Sequence, residues 1–350
     1  MTSPIRLGLI GCGGIVQKTH ARAYHSLSKI VKVAAIADVV PENLETVGQD
    51  FNVPTQNRYT EYRDMLANVD IDAVVIATPH SLHAEQVIEA ASADVAIISE
   101  KPMATSLEDA DRILETINRN GVPYTVVHNY LFTAGMQTAT AMLPEIGETY
   151  YGRSTGMGLK PSDFSANHPT PALAWRASKS KGGGCISDTS YHEIYSVCTL
   201  IQSPVRYVEA RVKTMRLKID VDDLAMILCE HENGAITTIS GAWCVPATDF
   251  GWCEVHAKEG SLRIRHRYNV KDALSQYTQT GGWKQIELPN LDEDGLKDAS
   301  GHQRYFEATF NALSKGESLP ISPEKAYHNL AIIDAARKAT IERRAIKIGG

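Results

Sequence analysis

From Ile5 to about residue 127, short apolar runs alternate with amphipathic segments, and no other feature of this 350-residue chain restricts its fold as tightly. Strand-like runs at 5–10, 31–38, 73–78, 95–99 and 122–127 are separated by helical patterns at 14–28, 41–51, 60–67, 81–92 and 106–120. Strands that alternate with helices are joined by right-handed crossovers, so they lie parallel with helices on both faces of the sheet. Residues 1–127 are therefore predicted to form a doubly wound parallel α/β sheet. Ser106, with Asp109 three residues on, marks the N-cap of the last of these helices.

Beyond residue 127 the pattern changes. A helix near 136–145 gives way to a loop rich in Pro, Ser and Asn at 160–172, long enough to act as a lid. The triplet Gly182-Gly183-Gly184 leads into a helix over 185–201, and strand-like runs then follow one another at 205–218, 222–231, 234–243, 251–258 and 260–267. Consecutive strands without helices between them predict a second, α+β domain over 128–350 with a large, mostly antiparallel open sheet. Val212, Leu224, Met226, Leu228, Ile236 and Ile239 are its candidate apolar positions. Two last helices, near 302–315 and 323–341, can pack back on the first domain.

The formal net charge of -6 speaks against a general nucleic-acid binder. The local run Arg263, Arg265, His266 and Arg267 alternates with Leu262 and Ile264, which reads as the solvated face of a strand. No apolar stretch approaches the ~20 residues of a membrane span, and a strand starting at Ile5 leaves no room for a secretion signal. The six cysteines contain no C-x-x-C pair. They read as reduced thiols of a cytoplasmic protein, with no zinc site expected.

"LGLIGCGGI" sets Gly11, Gly13, Gly14 and Ile15 where the first strand turns into a helix. Glycines there allow a tight turn and close approach to a pyrophosphate, which the helix N-terminus attracts. Val16 stands where a third small residue is usual. The second strand ends on Asp38, which can either accept hydrogen bonds from ribose hydroxyls or cap the helix starting near Pro41. Val39 and Val40 offer no cation for a 2′-phosphate, so the pattern favours NAD over NADP.

Two polar features remain. Glu100, Lys101 and Pro102 end a buried strand, either as a solvated strand end or as groups needed at the ligand crevice, with the proline fixing how Lys101 is presented. Asp188 and His192 lie four residues apart on the helix after the glycine triplet, hence on one face, with Ile186, Ile194, Val197 and Ile201 on its apolar positions. Such a spacing also suits an ordinary surface pair.

In order along the chain, "GCGGI", "IATPHSLHAEQVIEAA", "SEKPMA", "WR" and "GGGCISDTSYH" resemble the Gfo/Idh/MocA family of nicotinamide-dependent oxidoreductases, over nearly the whole length. The resemblance implies a Rossmann dinucleotide-binding domain and a substrate-binding, oligomer-forming second domain. It implies that Lys101, whose peptide bond to Pro102 is commonly cis in the family, faces nicotinamide and substrate, and that Asp188 and His192 are catalytic. Thr78, Pro79, His80, His83, Glu100, Trp175 and Arg176 would border the cofactor. His80 stands where asparagine is frequent, and Leu131 where an arginine often grips an anionic substrate. Asn129, Tyr130, His168, Tyr191 and His302 join Trp175 and the catalytic residues as candidates for holding a neutral polyhydroxylated ligand.

The implied activity is oxidation of a secondary or anomeric hydroxyl of a sugar, glycoside or cyclitol by hydride transfer to NAD. A ketosugar reductase, redox-assisted glycoside cleavage and a non-catalytic dinucleotide-binding regulator are the alternatives. His192 titrates in the right range to take the hydroxyl proton, Lys101 would stabilise the alkoxide, and which of the two is the immediate proton partner stays open. A homodimer or homotetramer through the second sheet is expected, with no metal, nucleic acid or membrane partner.

Overall fold

Each apolar run predicted in the first 127 residues contains a strand in the computed structural model, which describes residues 3–159, 175–288, 298 and 300–349. These strands are β1 (Ile5–Ile10), β2 (Val31–Ala37), β4 (Ala73–Ile76), β5 (Ala96–Ser99) and β6 (Tyr124–Val126), and a two-residue β3 (Arg58–Tyr59) joins them at one edge. All pair in parallel, in the order β3-β2-β1-β4-β5-β6. The order switches between β1 and β4, so the C-terminal ends of β1, β4 and β5 flank the crevice where such sheets take ligands.

Five helices return the chain between these strands: α1 (Ala21–Ser26), α2 (Pro41–Asp50), α3 (Tyr62–Asn68), α4 (His83–Ser92) and α5 (Leu107–Asn120). The Asp109 amide donates to Ser106 Oγ at 3.1 Å, capping α5 as its sequence signals, and Gly121 ends it at φ 67°. A π-helical turn, Val16–His20, leads into α1, and the side chain of Val16 is fully buried there. Residues 302–327 belong to this unit with residues 1–127. Their helix, His302–Lys315, sets Phe306 and Phe310 against Tyr24 of α1, with ring centroids 5.0 and 6.1 Å apart.

The second unit comprises residues 128–301 and 328–350. It contains α6 (Ala134–Ile146), β7 (Thr149–Leu159), α7 (Tyr191–Ile201), β8 (Val205–Lys213), β9 (Leu224–His231), β10 (Ile236–Ala242), β11 (Cys244–Ala257), β12 (Ser261–Arg265), β13 (Leu274–Thr278), β14 (Gly282–Gln285) and β15 (Ile346–Lys347). Its sheet runs β14-β13-β12-β11-β7-β10-β9-β8-β15, antiparallel except where β7 lies parallel to β10. The sequence does not signal the central strand β7, whose "TYYGRSTGMGL" carries glycines in place of apolar side chains. A Cβ on Gly152 would stand 2.8 Å from Val197 of α7, so the missing side chain is what lets the helix lie on this strand.

Ile194, Val197, Leu200 and Ile201 of α7 pack on the inner face of the sheet. Alternation along β9 buries Ala225, Ile227 and Cys229 and turns Leu224, Met226 and Leu228 to the other face. Of the six positions expected to share one apolar face, Leu224, Met226, Leu228 and Ile236 do so, whereas Val212 and Ile239 pack into the inner core because they fall in the opposite phase of their strands. The run read as a solvated strand face also divides. Arg263 and Arg265 stay partly exposed, but β12 ends at Arg265 and the turn beyond it buries His266 and Arg267. Among the described residues, no helix is long and apolar enough to cross a membrane. The loop expected over 160–172, with His168, lies outside the described residues.

Candidate active-site residues

At the end of β1 the chain turns through Gly11 at φ +93°, where a Cβ would meet the Ala77 backbone at 2.8 Å. Only glycine fits that position. Gly13 and Gly14 differ: a Cβ on either would meet nothing within 4 Å, so their bareness leaves space that the protein's own packing does not use. Ile15 follows, more than a third exposed. The Asp38 carboxylate accepts from the Cys12 amide at 2.7 Å, the Val40 amide at 2.8 Å and Asn43 Nδ2 at 3.2 Å. It therefore ties the glycine turn to the end of β2 as well as closing the start of α2, with capacity left on a carboxylate for one further donor. Val39 is widely exposed beside it, and neither Val39 nor Val40 carries charge. A cradle of bare glycines next to a strand-end carboxylate fits an NAD pyrophosphate and ribose.

Two loops end the neighbouring strands. Thr78 Oγ1 donates to Gln86 Oε1 at 2.5 Å and Pro79 begins the turn to His80 and α4. His83, expected to line the cofactor cleft, is fully buried, with Nδ1 2.7 Å from Pro102 O and Nε2 2.9 Å from Thr78 O. Burial pulls its pKa below the ordinary imidazole value, against the two carbonyl acceptors that its ring nitrogens face. It staples the Thr78 and Lys101 loops together. His80 is likewise buried, its ring 5.8 Å from that of His83. The Lys101–Pro102 bond is cis, as the resemblance implied.

Glu100 and His302, predicted for cofactor and substrate, are instead brought together. His20 Nε2 donates to Glu100 Oε1 at 2.9 Å, His302 Nε2 stands 4.0 Å from the same oxygen, and the Lys101 amide donates to Glu100 Oε2 at 3.2 Å. Burial opposes ionisation of Glu100, but the hydrogen bond from His20 and the electrostatic pull of the surrounding donors outweigh it and hold the pKa at about 2. Burial drives His302 to about 3, so it is neutral. The ligating atoms of His20, Glu100 and His302 lie within 4.8 Å of one another, and a hydrogen bond joins the first two. The polar ends of Glu100 and His302 turn toward one another and toward a histidine on the first helical turn, which sequence spacing cannot reveal.

In the second unit the glycine triplet does the packing its sequence suggests. A Cβ on Gly183 would sit 2.1 Å from the Arg176 carbonyl, and one on Gly184, at φ +118°, 2.4 Å from Asp222 Oδ1. The helix expected at 185–201 opens instead with a π-helical turn, Ile186–Ser190, before α7 begins. The α-helical i, i+4 geometry assumed for Asp188 and His192 thus does not apply across that join. Asp188 Oδ2 lies 3.4 Å from Arg176 Nε, and the Arg176 guanidinium stacks 4.6 Å over the Trp175 ring. His192 reaches forward, its Nδ1 2.8 Å from the Tyr195 hydroxyl, with the Tyr130 ring 4.5 Å away.

Two other substrate candidates each meet a partner within the protein. Asn129 is buried and donates to Ser300 O at 2.8 Å. Tyr191 is fully buried, with its hydroxyl 3.0 Å from His128 Nε2. Below them Glu193 and Arg267 form a buried ion pair, Nε to Oε1 2.7 Å, with Ser154 also bonded to Glu193, and Arg267 lies 5.6 Å from the Tyr130 ring centre. Sequence reading missed this pair, His20 and Tyr195. A signal existed for Tyr195 alone, since it follows His192 by one helical turn.

Residues 5–128 match a family model described as an oxidoreductase family with an NAD-binding Rossmann fold, and residues 144–263 match the GFO/IDH/MocA C-terminal domain. The D-apiose dehydrogenase of Rhizobium rhizogenes is 28% identical over 97% of this chain and 96% of its own length. The levoglucosan dehydrogenase of Pseudarthrobacter phenanthrenivorans is 28% identical over 77% of this chain and 75% of its own. A solved levoglucosan dehydrogenase in complex with NADH and levoglucosan superposes with a TM-score of 0.87 at 24% identity, covering 99% of this chain and 100% of that one, a likeness of fold.

Proposed function

The chain belongs to the Gfo/Idh/MocA family of NAD-binding oxidoreductases, and from that premise we propose that it oxidises a hydroxyl group of a neutral sugar, glycoside or cyclitol. The observation that carries this reading is an open glycine cradle at the end of β1 in the unit that carries the strand-end Lys101, on the same chain as an oriented Asp188 and His192. The names of the relatives, acting on apiose and levoglucosan, support a polyhydroxylated substrate.

Residues 1–127 would hold the dinucleotide and the second unit the substrate. NAD, when bound, supplies the acceptor for the hydride released from the substrate carbon. Lys101 and His192 share the substrate hydroxyl, one taking its proton and the other stabilising the oxygen. Asp188, held by Arg176, accepts from a neighbouring substrate hydroxyl, and the Trp175–Arg176 stack supplies a flat wall. The test is NADH formation across aldoses, inositols and glycosides, with the product carbon assigned by NMR. Turnover with NAD and not NADP on at least one neutral polyol is expected; no reduction of NAD by any member rejects the reading.

Met226, Leu228 and Ile236 stand 41–44% exposed on the outer sheet face. We propose that this face joins copies of the chain into a homodimer or homotetramer. Light scattering is expected to give a multiple of 38.3 kDa, and a monomer at micromolar concentration contradicts the proposal. Six free thiols fit a cytoplasmic enzyme.

A further inference from the structure

The Tyr195 hydroxyl meets two polar groups at hydrogen-bonding distance among the described residues. One is the backbone N–H of Tyr130 at 3.3 Å, which can only donate. The other is His192 Nδ1 at 2.8 Å. Tyr195 is buried, and an unpaired buried O–H is costly, so its proton has one place to go. Burial also holds the phenol pKa well above its ordinary value, which keeps that proton on the oxygen. The ring cannot turn to another partner. His128 stacks on it with centroids 4.3 Å apart and planes within 10°, and His128 is itself bonded to Tyr191.

A neutral imidazole carries one proton. If Nδ1 accepts from Tyr195, that proton is on Nε2. We infer that Tyr195 is a positioning residue that fixes His192 as its Nε2–H tautomer, so that His192 donates a hydrogen bond to the substrate oxygen and Lys101 is the base. The inference rests on the dehydrogenase reading. In the oxidation, the substrate O–H bond would break with its proton passing to the Lys101 amine, which becomes an ammonium, as the carbon gives up its hydride to bound NAD. Throughout, the Nε2–H of His192 stabilises the negative charge growing on the oxygen. This assigns opposite duties to two residues that sequence alone leaves interchangeable.

The test is ¹⁵N NMR of the full chain with labelled histidine, at a pH where the ring is neutral, with His192 assigned by its loss in His192→Gln. The expected spectrum shows Nε2 protonated and Nδ1 as an acceptor nitrogen. A dominant Nδ1–H form, or an even mixture, overturns the inference. In Tyr195→Phe the two resonances are expected to move toward one another as both tautomers populate, and an unchanged spectrum removes Tyr195 from the role. Should that variant fail to fold, global 3-fluorotyrosine, a stronger donor of similar shape, must displace the Nδ1 resonance; no displacement overturns the claim. The spectrum needs no turnover, so a failure here is distinguishable from a failure of the substrate panel.

Discussion

Lys101→Ala lowers kcat by on the order of 10²-fold or more, with NAD affinity nearly unchanged. The reasoning starts from how its loop is held. His83 reaches the Pro102 carbonyl, and Glu100, kept ionised chiefly by the hydrogen bond from His20, accepts from the Lys101 amide. None of these anchors uses the lysine amine. Truncation therefore removes the proton acceptor while the loop keeps its course, and the loss falls on kcat. Steady-state rates, with nucleotide titration of the same preparation, check this. Turnover within a few-fold of the wild type shows that Lys101 has no part in the chemistry.

His192→Ala is expected to reduce kcat by about 10²-fold, the usual effect of deleting a preorganised donor to a developing oxyanion. The imidazole lies between the Tyr130 ring and the Tyr195 hydroxyl, both anchored independently of it: Tyr195 by His128, and Tyr130 by the hydrogen bond its backbone N–H donates to the Tyr195 hydroxyl and by the Arg267 guanidinium near its ring. Its removal leaves a small gap in a half-buried position and little change in stability. NAD binding persists, because His192 belongs to the second unit and the glycine cradle to the first. A variant that keeps near-normal kcat contradicts the role.

The fold was legible where one physical pattern dominates. Alternating buried strands and capped helices set out the first sheet, down to the Ser106 cap, because each signal is local. β7 was not legible, since its glycines answer to Val197 and Arg267, residues far along the chain. The proposed catalytic set rests on residue type and order, and Asp188 and His192 each meet an oriented partner. The neighbours of the site were harder. Glu100, His302, His83 and Tyr191 have the chemistry of ligand contacts, yet each is turned to partners within its own unit. Arg267 looked solvated because strand alternation was extended past Arg265, where the strand stops. Burial of a polar residue depends on where the chain turns next, and periodicity carries no record of that.

The central claim is that Lys101 and His192 act on a single substrate oxygen. Combining Lys101→Ala with His192→Ala tests it most directly, through kcat of both single variants and the double variant. Residues that serve one atom lose their benefit together, so the double variant is expected to be little slower than the slower single one. Losses that multiply, to about 10⁴-fold, place the two side chains in separate tasks and contradict the account.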